Sequence, residues 1–288
     1  MKFSVVVPTF NRQATLRQTL AALVAQDSAD YEIIIVDDGS TDSTREMIAA
    51  EFPNVRYLHQ QNCGPAAARN NGIRAASGDV IAFTDDDCLP PLKWLARLAD
   101  GLTRHPQVVG VGGYLEAPDD VLARSVLARY EKYIARQVYR VSDREYLGGF
   151  ECPAGGTNNM AYRREVLSEV GGFDEFFRYA AGEDADLKWR ICQHKYTLLY
   201  IQLKVTHLRE YTWAHLRRQS FMRGKGRTQF EIRHGRRPSA SILIVRLARA
   251  WLQFIPDMLT MPEKPFAFAR LIEMTWSVAG QWDELKRV

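Results

Sequence analysis

Two hydrophobic rhythms alternate through the first hundred residues. Phe3-Ser4-Val5-Val6-Val7 is a nearly unbroken apolar run, the mark of a strand covered on both faces. Positions 11–26 carry Leu16, Leu20, Leu23 and Val24 at three- and four-residue steps, the stripe of a helix packed on a sheet. The alternation repeats: a β-branched run at 31–36, a helix over 41–51, a short strand at 55–58, a helix over 70–76 and a strand at 80–83. Strands separated by helices at intervals of about 25 residues imply βαβ units and a mainly parallel sheet. Right-handed crossovers would gather the loops at Pro8, Asp38 and Asp85 on one edge of that sheet, forming a cleft.

Further along, the pattern predicts a short helix over 163–170 closed by Gly171-Gly172, then a helix beginning near Glu183 that packs through positions 187–191. A strand is predicted over 197–205. Arg217, Arg218, Arg223 and Lys225 alternate with Phe221 and Met222 at helical spacing. The last fifty or so positions read as helices rich in Trp, Phe and Arg, interrupted by Pro256 and Pro262. Such segments pack on a domain, pair with a second subunit or lie in a membrane interface.

Composition narrows the class. A chain of 288 residues with 46% hydrophobic and 25% charged residues supports one large globular domain with an appendage. Met1-Lys2 leads straight into the first strand, which argues against a secretory leader. Cys63, Cys88, Cys152 and Cys192 form no C-x-x-C pair, so they read as reduced thiols, neither a disulfide frame nor a zinc site. No uncharged run reaches the roughly 18 residues needed to span a bilayer. Charge is uneven: residues 204–237 hold ten Lys/Arg against two Glu, whereas the whole chain is only +4. A basic segment behind an acidic body suggests an anionic partner.

The candidate chemistry lies at strand ends. Thr84-Asp85-Asp86-Asp87 follows the strand at 80–83, placing clustered carboxylates where open α/β sheets bind ligands. Their mutual repulsion is relieved by a divalent cation, and oxygen donors favour hard Mg²⁺ or Mn²⁺. Asp37-Asp38 at another strand end suits a base or ribose. The small-residue segment Gly64-Pro65-Ala66-Ala67-Ala68-Arg69-Asn70-Asn71-Gly72 allows close backbone approach, with Arg69 able to grip a diphosphate. Neither G-x-G-x-x-G after the first strand nor a P-loop is present, which disfavours dinucleotide and P-loop folds. A nucleic-acid module would use the basic run but leave the acids unexplained. A nucleotidyltransferase would share the cleft, but its Gly-rich, Lys-containing N-terminal loop is missing.

These motifs carry a resemblance. Pro8-Thr9-Phe10-Asn11-Arg12, Val36-Asp37-Asp38-Gly39-Ser40, the segment 62–72 and Thr84-Asp85-Asp86-Asp87 stand in the order found in family 2 glycosyltransferases. Gly155-Gly156-Thr157-Asn158-Asn159-Met160, Gly171-Gly172-Phe173-Asp174-Glu175 and Gly182-Glu183-Asp184-Ala185-Asp186-Leu187 continue it. The resemblance covers about residues 1–215 and implies a GT-A (Rossmann-like) α/β fold. Its mainly parallel sheet would be flanked by helices, with a nucleotide-binding half over 1–105 and an acceptor-binding half over 106–215. Residues 216–288 would form a basic, amphipathic helical extension.

The implied activity is inverting transfer of a sugar from a nucleoside diphosphate to an acceptor hydroxyl. Pro8, Thr9, Asn11, Asp37, Asp38, Arg69, Asp85 and Asp86 would bind the nucleotide, and Asp85, Asp87 and His207 an Mn²⁺ or Mg²⁺ ion. With three Asp in a row, the register of the D-x-D pair stays open. Asp184, with Glu183 beside it, would be the catalytic base, a carboxylate opposite the departing diphosphate. Gly156, Asn158 and Asn159 would meet the acceptor, and Arg218 and Arg223 would close over the diphosphate. UDP is the implied nucleotide, with GDP or dTDP as alternatives. The acceptor would be a glycan, a lipid-linked sugar or a small glycoside. The implied setting is the cytoplasm or the inner face of the cell membrane, with no nucleic-acid partner and with a homodimer allowed. The processive signature Q-x-x-R-W is absent at Arg217-Arg218-Gln219-Ser220-Phe221, which favours single transfer. A catalytically inactive relative is the remaining alternative.

Overall fold

The computed structural model describes residues 1–28 and 30–287. The amino-terminal half alternates as the hydrophobic pattern requires: β1 (Phe3–Thr9), α1 (Gln13–Val24), β2 (Tyr31–Asp37), α2 (Thr44–Glu51), β3 (Arg56–His59), α3 (Pro65–Ala75) and β4 (Val80–Phe83). Helix α3 begins five residues before the predicted position 70, because Pro65 occupies its first turn, where a missing N–H costs nothing.

Irregular sequence follows, yet it is well structured: β5 (Cys88–Leu89), α4 (Trp94–Arg104), β6 (Val108–Glu116), α5 (Asp119–Arg124), α6 (Val126–Gln137), β7 (Tyr146–Gly148), β8 (Met160–Arg163) and α7 (Arg164–Glu169). The remainder is α8 (Glu183–Gln193), β9 (Thr197–His207), α9 (Trp213–Arg233), α10 (Ala240–Thr260) and α11 (Lys264–Leu285). Two expectations need correction. Pro256 lies inside α10 without ending it, and the chain breaks only at 261–263. The boundary expected at 215/216 falls inside α9, which starts at Trp213.

The strands form one nine-stranded sheet in the order β3-β2-β1-β4-β8-β6-β9-β5, with β7 on β9. The pairings β3–β2–β1–β4 and β6–β9 are parallel, and β8 runs antiparallel to both β4 and β6. Six strands therefore share a direction, and β5, β7 and β8 oppose it.

Helices cover both faces, so adjacent strand residues serve different cores. Val5, Val7, Ile33 and Ile35 pack with Leu16, Leu20, Met47 and Trp94. Val6, Ile34, Val36 and Phe83 pack with Ala66, Val166, Leu187 and Ile191 on the other side. That is the physical reason the strands read as unbroken apolar runs. Fully burying each such side chain stabilises by about 1.5–3 kcal/mol.

A third apolar cluster joins α6 to the carboxyl-terminal helices through Leu127, Tyr130, Leu216 and Phe266. There α9 and α11 lie backbone to backbone: a Cβ on Gly224 would come within 1.9 Å of the Ser277 carbonyl, and one on Gly280 within 1.9 Å of that of Phe221. Among the described residues, no helix is long and apolar enough to cross a membrane.

Candidate active site

Three strand ends and one helix start converge at the sheet edge. Strand β1 continues past its last pair with β4, Val6–Phe83, so Pro8 needs to supply no N–H to that side. Thr9 then donates its hydroxyl to Asp86 at 2.8 Å. Asn11, at φ 54°, receives no cleft contact through its oxygen, which accepts from the Thr41 backbone at 2.7 Å. Arg12 reaches into the Asp triplet: its guanidinium lies 2.6 Å from Asp87 and 3.6 Å from Asp86.

The triplet divides the labour. Asp85, its side chain 30% exposed, accepts from Arg69 at 3.0 Å. Asp86 is buried, and burial drives its carboxyl up to about 7 against the pull of Arg12 and Thr9, with Asp87 and Asp85 adding repulsion. Burial also works to raise Asp87, but His207 and Arg12 outweigh it and hold that carboxyl well below the usual range.

His207 reaches Asp87 because β5 pairs with the end of β9: Cys88 is opposite His207, and its Nε2 lies 3.2 Å from Asp87. Asp87, Cys88 and His207 each bring a donor atom within 4.8 Å of the others. Burial works against ionising the Cys88 thiol, lifting it well above its ordinary value; the donors that need no such ionisation are carboxylate oxygen and imidazole nitrogen. With Asp85 nearby, that set fits a hard to borderline divalent cation. Arg12 supplies positive charge at the same place.

Arg69 links this cluster to the next. It is 3% exposed, donating to Asp85 at 3.0 Å and to Glu183 at 2.9 Å. Helix α8 starts at Glu183 behind Gly182, whose φ of 102° suits glycine and where a Cβ would come within 2.9 Å of the Gly226 carbonyl in α9. Asp184 is partly exposed and accepts from the Ala185 N–H at 2.8 Å. Burial, opposed by Arg69 and aided by Asp85, raises its carboxyl above the ordinary value.

Glu183 is 3% exposed, with one oxygen on Arg69 and the other lacking any partner among the described residues. Glu183 was expected beside Asp184 in the catalytic pair; its carboxylate is buried and held by Arg69. Asp186 is a buried anchor, bonded to Arg190 at 2.8 Å and His234 at 3.0 Å.

Other expected residues also fall into new roles. Asp37 is 1% exposed and satisfied by the Ser40 N–H at 2.8 Å and the Tyr57 hydroxyl at 2.6 Å. Those two bonds take one acceptor site on each of its oxygens, and the side chain is buried. Asp38 accepts from Gln60, Cys63 N–H and Gly64 N–H at 2.7, 2.9 and 2.8 Å, leaving about one of a carboxylate's four acceptor sites unspent.

Asn159, expected to meet an acceptor, is 1% exposed and engaged with Trp94, Tyr114 and Leu203; it braces the sheet. Asn158 is partly exposed, beside Gly156, and only its carbonyl is taken, by Thr84. Arg223 pairs with Glu273 at 3.2 Å, and the exposed Arg218 has no ion pair among the described residues.

Arg209 was not anticipated. Its side chain is 7% exposed, it pairs with Glu131, and it is close enough to Asp87 to feel its charge; burial and Arg223 lower it to about 10. Arg12 was visible in its motif but given no role. Its signal was the sheet order, since β1 lies beside β4 and the loops after both must meet. A cavity of about 620 Å³ is lined by Asn70, Arg74, Gly172, Asp174 and Arg233 and includes none of these acids.

The mainly parallel sheet thus carries an acid cluster at the edge where Arg69 joins it to the start of α8. The family model "Glycosyl transferase family 2" matches residues 4–171. The chain belongs to that family.

Among curated relatives it is 31% identical over 218 residues to validoxylamine A glucosyltransferase of Streptomyces hygroscopicus subsp. limoneus, a match spanning 66% of this chain and 48% of that one. It is 28% identical over 234 residues to glycosyltransferase AglE of Haloferax volcanii, covering 78% and 73%. The chain spans about half the length of the first relatives it matches.

Two solved structures show the shared fold. The mannosyltransferase PcManGT from Pyrobaculum calidifontis, in complex with GDP-Man and Mn²⁺, has a TM-score of 0.68 at 20% identity, over 98% of this chain and 88% of that one. Glucosyl-3-phosphoglycerate synthase from Mycobacterium tuberculosis, in complex with Mn²⁺, UDP-glucose and phosphoglyceric acid, has a TM-score of 0.56 at 19% identity, over 83% and 81%. The fold is GT-A-like, with helices following the sheet.

Proposed function

We propose that the protein is an inverting glycosyltransferase that moves a sugar from a nucleoside diphosphate to an acceptor hydroxyl. The observation that carries this reading is Arg69, which ties Asp85 of the cation-suited cluster to Glu183 at the start of α8. It ties the two acidic segments together, and Asp184 directly follows Glu183 in α8. Family membership favours this activity over the nucleotidyltransferase alternative.

Asp184 is the base. Burial raises its carboxyl above the ordinary value against the opposing charge of Arg69, which makes it a better acceptor for the proton of the attacking hydroxyl. Asp85, Asp87 and His207 would hold Mn²⁺ or Mg²⁺, which supplies positive charge beside the departing diphosphate; an imidazole donor favours Mn²⁺. Arg12, its side chain half exposed, is placed to bind phosphate oxygens once released from the acids. Thr9 holds Asp86 in register. Asn158 and Gly156 border the acceptor side.

UDP and GDP are the nucleotides we favour, since the structurally similar mannosyltransferase and synthase carry GDP-Man and UDP-glucose. The acceptor we place among glycans, lipid-linked sugars and small glycosides, in cell-surface glycan synthesis on the cytoplasmic side of a membrane. The carboxyl-terminal helices would make the membrane contact.

The test needs no known acceptor. A panel of UDP-, GDP- and dTDP-sugars is incubated with Mn²⁺ or EDTA, and release of the nucleoside diphosphate is followed. Cation-dependent release from one nucleotide class, lost in Asp184→Asn, supports the reading. Release that is equal in the two proteins removes Asp184 from the base role, and none from any donor speaks against the activity.

A further inference from the structure

The outward face of α10 is apolar. Ile244, Trp251, Leu252, Ile255 and Leu259 are 61, 57, 75, 68 and 77% exposed, and their spacing places them along one side of the helix. Leu243, Ala250 and Asp257, seven residues apart, are buried on the opposite side against the rest of the protein. The exposed stripe is therefore surplus to the core. Phe268 of α11 extends it: its ring lies 5.0 Å from that of Phe254 and the residue is 48% exposed. A contiguous apolar surface of this kind marks an interaction site.

Charge identifies the occupant. The sole acid in α10, Asp257, is 4% exposed and faces Arg270. Arg236 and Arg237, just before the cap at Ser239, and Arg249 on the helix itself are exposed and form no ion pair among the described residues. Positions 204–249 hold twelve Lys/Arg against two Glu. A two-fold pairing through α10 would press two such regions together, whereas an anionic lipid surface attracts them. The stripe is also wider than the two-residue-per-heptad seam of a helix pair, and its Trp and Arg content suits the headgroup boundary.

We propose that α10 lies flat in the interface of an anionic membrane. Trp251, Leu252, Ile255 and Leu259 enter the headgroup–acyl boundary, and Arg236, Arg237 and Arg249 meet lipid phosphates. This deepens the membrane contact proposed above but rests on the surface of α10 alone, not on the catalytic reading.

The experiment is co-sedimentation of the full chain with phosphatidylcholine vesicles, with and without phosphatidylglycerol, at low and high salt. The same assay is run on Leu252→Glu/Ile255→Glu and on Arg236→Glu/Arg237→Glu. Circular dichroism melts confirm folding without any nucleotide chemistry, so failed docking is read apart from failed transfer. Expected is phosphatidylglycerol-dependent binding that weakens with salt, falls about tenfold or more in the apolar variant and falls severalfold in the Arg variant. Absence of binding to anionic vesicles, or binding that survives Leu252→Glu/Ile255→Glu, overturns the proposal. So does a salt-insensitive dimer in sedimentation velocity, dissolved by the same apolar variant and accompanied by no vesicle binding; that result gives the face to a second copy.

Discussion

Single side chains at the sheet edge hold competing charges in balance, and two substitutions expose the balance. Replacing Asp184 by Asn keeps the shape of the helix start but removes the proton acceptor. Nucleotide binding should persist by calorimetry while turnover falls by about 10²–10⁴, the usual worth of a general base. Asp86 is raised to about 7 by burial, well above the roughly 3.9 of an unfolded Asp. The native state therefore binds more protons between these values, so in EDTA this group makes stability fall as pH rises from about 4 to 7. Asp86→Asn should flatten that slope in denaturant melts across the window; an unchanged slope would show that another group carries it. The Asp triplet, Arg69 and Asp184 were legible because short ordered motifs announced them. The partners that decide which oxygen is free were not: Tyr57 on Asp37, Trp94 on Asn159 and Arg12 on Asp87 all come from elements distant in the chain.

Elements were readable where the apolar period was clean. The strands from β1 to β4 appear in the sequence close to their observed bounds, because both faces of that half-sheet are covered and the pattern is uniform; their helices were found but less exactly bounded, α3 by five residues. Strand β6 hid behind Gly110, Gly112 and Gly113, which have little strand propensity yet are needed where Tyr162, Met160 and the Leu203 carbonyl press against them. Antiparallel β8 is four residues long and offers no period to detect. The pairing of α9 with α11 was equally hidden, since its signal is glycine rather than an apolar stripe. Gly224→Ala would set a methyl 1.9 Å from the Ser277 carbonyl, and overpacking of this sort costs about 1–3 kcal/mol. The denaturation midpoint should drop accordingly. Gly235→Ala, where no atom lies within 4 Å of the added carbon, tests φ strain alone and should cost less.

Across the whole molecule, the sheet serves as a ruler that brings Thr9, Asp38, Asp87 and His207 to one edge, and α8 and α9 complete the far wall. His234 at the end of α9 bonds Asp186 at 3.0 Å, so the carboxyl-terminal helices are tied to the helix that carries Asp184. The basic run at 204–237 read in sequence as facing an anionic partner, with Arg218 and Arg223 over the diphosphate. Folding instead spends Lys225 on Asp283 and Arg233 on Asp174, and leaves Arg236 and Arg237 outside. The measurement that tests the central claim most directly is calorimetric titration of UDP, GDP and dTDP into the full chain, each with Mn²⁺ and with EDTA. The account predicts binding of UDP or GDP that requires the cation and is weakened at least tenfold by Asp87→Ala. Tight binding in EDTA, or no binding of any nucleotide with Mn²⁺ present, would contradict it.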